Sequence, residues 1–230
     1  MQLSVVVPTF NSRRFVAEAI HSVLNQRHLA GVGVELEVLV VDNGSSDGTP
    51  ELVHTLFGSQ VRLLQAHDQQ GVFHPRNVGV AAAEGEWIAL LDADDLWEPT
   101  KLERQVAAVA QQPELALVFC DGVEFSDPDG AFPSRQEPRP FLMPSALLAR
   151  RTALDRTGPF PPFRAGDFIA WFGWAQALQL PWHVVSETLV RRRVHRSNTS
   201  RDRAALADYP LAMGWLLNRR AGLAPARSPS

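Results

Sequence analysis

The stretch Trp87-Ile88-Ala89-Leu90-Leu91-Asp92-Ala93-Asp94-Asp95 decides the fold. Five apolar residues run without a spacer into three carboxylates, the pattern of a strand buried on both faces that ends at a polar edge. In extended chain, side chains two apart point the same way, so Asp92 and Asp94 turn toward one crevice. The same plan recurs upstream. Residues 3–7 form a Val-rich run that ends at Pro8-Thr9-Phe10-Asn11, residues 36–41 run into Asp42-Asn43-Gly44-Ser45-Ser46-Asp47-Gly48, and residues 61–66 precede Asp68. Helical spacing falls between these strands. Asn11 and Ser12 are placed to cap a helix carrying Phe15, Val16, Ala19, Ile20 and Val23, and Pro50 opens another through about Phe57. A small-residue helix is expected near 76–84, one at 99–111, and a further strand at 116–119. Such alternation means a mostly parallel, Rossmann-like sheet with helices on both faces, and ligands in such sheets bind outside the carboxyl ends of the strands.

Beyond about residue 125 the texture changes. Residues 127–140 are rich in Pro, Asp and Arg and read as a loop placed to close over substrate. Residues 141–149 are apolar, 167–178 have helical spacing, 184–194 read as strand, and 204–217 read as a last helix despite Pro210. The tail 221–230 is expected to be disordered.

Composition excludes several classes. With 230 residues, 45% hydrophobic and 20% charged, the chain is neither disordered nor fibrous. A single cysteine, Cys120, rules out a disulfide framework or a cysteine-based zinc knuckle. No apolar run approaches the roughly 18 residues of a membrane span, and the first residues lack the pattern of a signal peptide, so a soluble, cytoplasmic domain is expected. The net charge of −3 hides a split: residues 1–130 hold 19 acids and 7 bases, residues 131–230 hold 6 acids and 15 bases. Opposite halves of this kind suit a metal on one side and phosphate on the other.

The strand-end residues have specific chemistry and blander readings. Asp92 and Asp94 offer carboxylate oxygens suited to Mg²⁺ or Mn²⁺, or else cap the turn that follows. Asp42 can accept from a base or ribose, or can start an Asx turn over Asn43-Gly44. A dinucleotide-binding Rossmann site is excluded because no G-x-G-x-x-G follows the first strand, and no P-loop occurs anywhere.

Three ordered segments carry a resemblance: Ser4-Val5-Val6-Val7-Pro8-Thr9-Phe10-Asn11, Val41-Asp42-Asn43-Gly44-Ser45-Ser46-Asp47-Gly48-Thr49 and Leu91-Asp92-Ala93-Asp94-Asp95. Together they are similar to the successive motifs of family 2 glycosyltransferases of GT-A fold. Gly71 through Arg76-Asn77-Val78-Gly79 resembles the family's Gly-x-x-x-Ala-Arg-Asn-x-Gly, with Pro75 where alanine is usual. The likeness covers residues 2–125 strongly and 140–200 loosely. It implies a single catalytic domain over 1–220, with a donor half at 1–125 and an acceptor half at 126–220.

The resemblance also implies roles. Pro8, Thr9 and Asn11 would line the nucleotide pocket, Asp42 would meet base or ribose, Arg76 the donor phosphates or base, and Asp92 the ribose or sugar. Asp94 would hold Mn²⁺ or Mg²⁺ bridging the diphosphate. Ala165-Gly166-Asp167-Phe168 stands where the family usually has Glu-Asp, leaving Asp167 as catalytic base or, more blandly, a helix N-cap. Arg193-Val194-His195 with Asn198 resembles a C-terminal element in which His195 would be a metal ligand or diphosphate donor and Arg193 a donor-binding residue. The aromatic residues Trp171, Phe172 and Trp174 are expected in the core before any acceptor contact.

The expected function is therefore transfer of a sugar from a nucleotide diphosphate donor, UDP-sugar first, to an acceptor hydroxyl of a glycan, lipid or protein. Inversion and divalent-metal dependence are expected, and nucleic acid is not a partner. Two alternatives differ in class: a catalytically degenerate nucleotide-sugar-binding protein, and a membrane-surface module whose arginines at 191–203 and Trp215-Leu216-Leu217 end meet anionic lipid.

Overall fold

In the computed structural model, residues 1–223 are described apart from 28, 30, 32, 68, 70, 128–131, 197 and 199–201. The Asp68 strand-end expectation and residues 224–230 of the expected tail therefore lie outside the described residues, whereas 221–223, expected to be disordered, end the last helix. Four strands form the first half of one sheet: β1 (Gln2–Thr9), β2 (Glu35–Asp42), β3 (Arg62–Gln65) and β4 (Trp87–Leu90). They stand in the order β3-β2-β1-β4 and every neighbouring pair is parallel. The connecting helices are α1 (Val16–Leu24), α2 (Thr49–Phe57) and α3 (Phe73–Ala82). Burial follows from the pattern: Leu3 and Val5 to Val7, Val38 to Val41, and Trp87 to Leu90 are all in the core. At Gly79 α3 comes so close that a Cβ would collide with Val6 of β1 and sit 3.0 Å from Val41 of β2, which is why the motif needs glycine there.

The second half of the sheet is mixed. β5 (Leu96–Trp97), α4 (Lys101–Gln111), β6 (Leu117–Ser126), β7 (Arg139–Phe141), β8 (Leu148–Arg150), α5 (Arg151–Thr157), α6 (Asp167–Ala177) and β9 (Trp182–Val194) follow in chain order. β8 enters antiparallel between β4 and β6, β6 runs parallel to β9, and β9 closes antiparallel on β5. The expected strand at 116–119 is thus the start of a ten-residue strand. Beside it, Cys120 faces Val185 while Gly122 faces Val190, so β9 bulges and bends. That bend carries the far end of β9 back over the first half, where Arg191 and Val190 pair with Leu96 and Trp97.

Three local expectations change. α1 begins at Val16 with no side-chain cap, because Ser12 offers its carbonyl to the Phe15 and Val16 amides and Asn11 is occupied elsewhere. The expected last helix is two, α7 (Arg203–Leu206) and α8 (Tyr209–Leu223). Pro210 is the second residue of α8, in the first turn, where its missing N–H costs nothing. In the loop after β6, the described part is tied down: Arg135 N–H and Gln136 Nε2 both donate to Glu124, and Phe132 N–H donates to Ser126 Oγ.

Candidate active site

The parallel half places the ends of β1, β2 and β4 side by side, and the bent β9 adds its own end. Pro8 is buried in β1 beside Val41 of β2. Thr9, also buried, donates through Oγ1 to Asp42 Oδ1 at 3.1 Å. The Asp42 carboxylate is saturated: Oδ2 accepts from the Gly44 and Ser45 amides, and Oδ1 accepts from Ser45 Oγ as well as Thr9. The Asx turn is therefore real, and it organises the loop by which β2 enters α2. Asn11 has a left-handed backbone, φ 48°. Its amide donates to Ser45 Oγ at 2.8 Å and its Oδ1 accepts from the Ser46 amide at 2.9 Å, so it splices the loop after β1 to the loop after β2. Asp47 continues the splice, accepting from the Arg13 and Thr49 amides.

Asp92, Arg76 and Asp167 form one ionic unit. Arg76 Nη2 lies 2.7 Å from Asp92 Oδ1, and Nη1 lies 2.6 Å from Asp167 Oδ2. Arg76 and Asp167 are buried, while Asp92 is partly open. Burial pushes the Asp167 carboxyl up from the ordinary aspartate range, against the lowering effects of Arg76 and the Phe168 amide; Asp92 adds to the rise. Arg76 was expected to face donor phosphates or base; both its terminal nitrogens are instead committed to carboxylates. Gly166 precedes Asp167 with φ 83°, and a Cβ there would sit 3.1 Å from both Ala212 and Tyr209 of α8. The glycine thus fits the close approach of α8, and it lets Asp167 begin α6.

Asp94 and His195 meet directly, with Nε2 2.8 Å from Oδ2. Asn198 Nδ2 donates to the same oxygen at 3.0 Å, and its Oδ1 accepts from the His195 amide. Asp94 Oδ1 accepts nothing from the described residues, and its side chain is 28% exposed. Arg193 differs from expectation. Its Nε donates to the Asp94 carbonyl, its Nη2 pairs with Glu18 of α1, and its guanidinium lies over the Phe15 and Phe125 rings. It braces the Asp94 loop from behind and offers little to a ligand.

Two neighbours complete that frame. Asp95 is buried, accepting from Ser145 Oγ at 2.6 Å and from the Arg193 amide at 3.0 Å. Burial, then Asp94 and Asp92, push its carboxyl well above the ordinary range. Ser145 Oγ also accepts from the Asp92 amide, so one hydroxyl ties Asp92 to Asp95. Neither Ser145 nor Asn198 received a role from sequence. The signal for Ser145 was a lone hydroxyl within the apolar run 141–149, and Asn198 stood inside a quoted element. Trp171 is wholly buried, donating to Thr157 Oγ1, and Phe172 and Trp174 are buried too, so the aromatic residues of α6 are core.

Among the described residues no three His, Cys, Asp or Glu side chains converge to hold a metal ion. Asp94, 28% exposed, offers a carboxylate oxygen at the open edge, and the buried His195 sets an imidazole nitrogen against its other oxygen. That pair fits Mn²⁺ or Mg²⁺, which bind through one or two protein groups and take remaining oxygens from substrate phosphates and water.

A curled α/β sheet with acidic and polar groups gathered at its strand ends defines a class of nucleotide-binding enzyme folds. The sequence profile of Glycosyl transferase family 2 matches residues 4–172, and the chain belongs to that family. Its relatives include the succinoglycan biosynthesis protein ExoO of Rhizobium meliloti, 40% identical over 126 residues, which cover 52% of this chain and 35% of ExoO. An uncharacterised glycosyltransferase of Nostoc, alr2836, is 29% identical over 227 residues, covering 86% of this chain and 66% of the relative. The chain thus spans about a third to two thirds of these relatives' lengths. Among solved structures, S. aureus TarS in complex with UDP-GlcNAc superposes with a TM-score of 0.76 at 22% identity, over 94% of this chain and 65% of that one. The mannosyltransferase PcManGT of Pyrobaculum calidifontis, in complex with GDP-Man and Mn²⁺, gives 0.68 at 20% identity, over 99% and 65%. Both share the fold.

Proposed function

We propose that the chain is a glycosyltransferase that moves a sugar from a nucleotide diphosphate donor to an acceptor hydroxyl with inversion. The observation that carries this reading is the gathering of Asp42, Asp92, Asp94, His195 and Asp167 along one edge of the sheet. Residues 1–125 then serve the donor and 126–220 the acceptor, in a single domain. A UDP-sugar is the first choice of donor: the related E. coli protein WfgD is named a UDP-Glc-using glucosyltransferase, and TarS was solved with UDP-GlcNAc. The acceptor is a glycan, lipid or protein hydroxyl.

Each residue then has a task. The spliced loops around Asn11 and Asp42 shape the nucleotide pocket, with Pro8 and Thr9 as its floor. Asp94 and His195 would hold Mn²⁺ or Mg²⁺, which when bound neutralises charge on the departing diphosphate. Asp92 faces ribose or sugar. Asp167 takes the proton from the acceptor hydroxyl as that oxygen bonds to the anomeric carbon; the bond from that carbon to the diphosphate breaks on the opposite face. A carboxyl raised by burial is a stronger base once ionised, which suits that task.

No helix among the described residues is long and apolar enough to cross a membrane. Attachment to the inner face of the membrane from the cytoplasm would use α8, where Leu211 and Leu217 are more than 60% exposed near Arg220. The buried pairing of Asp167 favours a second reading, a nucleotide-sugar-binding protein without turnover. Nucleotide release from UDP-glucose, UDP-GlcNAc and GDP-mannose separates them. The transferase reading expects Mn²⁺-dependent release from one donor, reduced at least 100-fold in Asp167→Asn. Tight donor binding with no release from any would establish the second.

A further inference from the structure

Arg76 is a deeply buried cation at the site, and its position has no local cause. It lies in the first turn of α3, where the aligned peptide dipoles favour negative charge. What holds it there is the pair of carboxylates 16 and 91 residues away in sequence, Asp92 at the end of β4 and Asp167 at the start of α6. One terminal nitrogen serves each. Its Nε is buried and meets no acceptor among the described residues, so the guanidinium is placed for its two ion pairs at the expense of that third donor. Pro75 precedes it without penalty, since the first turn needs no N–H from that residue.

The charged and polar surroundings of Asp167 are few. Arg76 faces it from α3, Asp92 from the end of β4, and the Phe168 amide from α6 itself. From α8, Tyr209 packs on Gly166. Arg164, three residues earlier, is turned to Asp202, and its amide is held by Asp208. Arg76 is therefore the cation that opposes the burial of Asp167.

The geometry points to Arg76 as a positioning residue that couples the donor-side carboxylate Asp92 to Asp167, keeping Asp167 ionised and aimed across the gap between donor and acceptor. This rests on the proposal that Asp167 takes the acceptor proton. Without the guanidinium, two neighbouring carboxylates share a partly desolvated site, and burial and repulsion both favour a proton on Asp167. Transfer would then fail near neutrality and recover as the pH rises. A residue that merely supported the fold would lower activity equally at every pH.

The test is a carboxyl-carbon NMR titration of Asp167, assigned with Asp167→Asn, in the wild type, Arg76→Met and Arg76→Lys. The midpoint should rise by about one unit or more in Arg76→Met. It should rise less in Arg76→Lys, whose single ammonium cannot span both carboxylates. Adding Asp92→Asn to Arg76→Met should bring it part of the way back, and the charge-keeping lysine variant carries the test if the methionine variant fails to fold. An unmoved midpoint in the lysine and double variants would overturn the coupling. The acid limb of nucleotide release should move with the NMR midpoint. A midpoint that moves while the limb stays put would uphold the coupling and refute Asp167 as the base.

Discussion

At the scale of single residues, the site is built from side chains that hold each other. Asp42 receives four hydrogen bonds from Thr9, Gly44 and Ser45. Asp42→Ala leaves the buried Thr9 hydroxyl and the part-buried Ser45 donors unmet and should cost about 1–2 kcal/mol in urea unfolding. Asp94→Asn, at a side chain 28% exposed whose amide keeps an acceptor oxygen for Asn198, should cost about 1 kcal/mol. Lys101, the one lysine of the chain, is fully buried with Nζ on Gln105 and over the Trp97 ring. Burial pulls its ammonium down to about 8. Between that value and the ordinary value of 10.5 the unfolded chain binds more protons at this lysine than the folded one. Stability should therefore rise with pH from about 8 to 9, by on the order of 1 kcal/mol. Above 9 the Cys120 thiol, pushed up by burial to about 11, works against the lysine. Lys101→Met should abolish the rise between 8 and 9 in chemical denaturation.

Elements were legible where one period persisted. The strand at 87–91 is apolar throughout, those at 3–7 and 36–41 are apolar but for Ser4 and Glu37, and all three end in loop-forming polar residues, so both their burial and their ends could be read. Helix starts were harder. Asn11 and Ser12 have good capping chemistry, but Asn11 is spent on Ser45 and Ser46, a long-range demand invisible to local spacing. The bend in β9 depends on its pairing with β6, so the arrival of His195 at Asp94 could be inferred only from the resemblance. Of the arginines at 191–203 expected to meet anionic lipid, Arg191, Arg192 and Arg193 are instead turned to the Phe125 ring, Glu124 and Glu18. At the start of α6, Gly166→Glu restores the residue usual in the family but puts a side chain at φ 83° against Ala212 and Tyr209. It should destabilise by about 1–3 kcal/mol, seen as a lowered Tm with no gain in turnover.

At the scale of the molecule, an acidic first half and a basic second half fold into one sheet. Many of the charges cancel across the join, as Arg193 with Glu18, Arg192 with Glu124 and Arg150 with Glu86 illustrate. What stays open is the edge where Asp92 and Asp94 are about a quarter exposed. The proposed function requires this edge to bind a nucleotide diphosphate together with a divalent metal. Thermal unfolding with UDP, GDP, dTDP and CDP, each with and without Mn²⁺, in the wild type and Asp94→Asn, tests it most directly. A ligand at 100 times its Kd adds about 2.7 kcal/mol, or about 5–10 °C for a chain of this size. Such a rise is expected for one nucleotide, dependent on Mn²⁺ and lost in Asp94→Asn. No rise with any nucleotide, or a rise indifferent to both metal and Asp94, would contradict the proposed function.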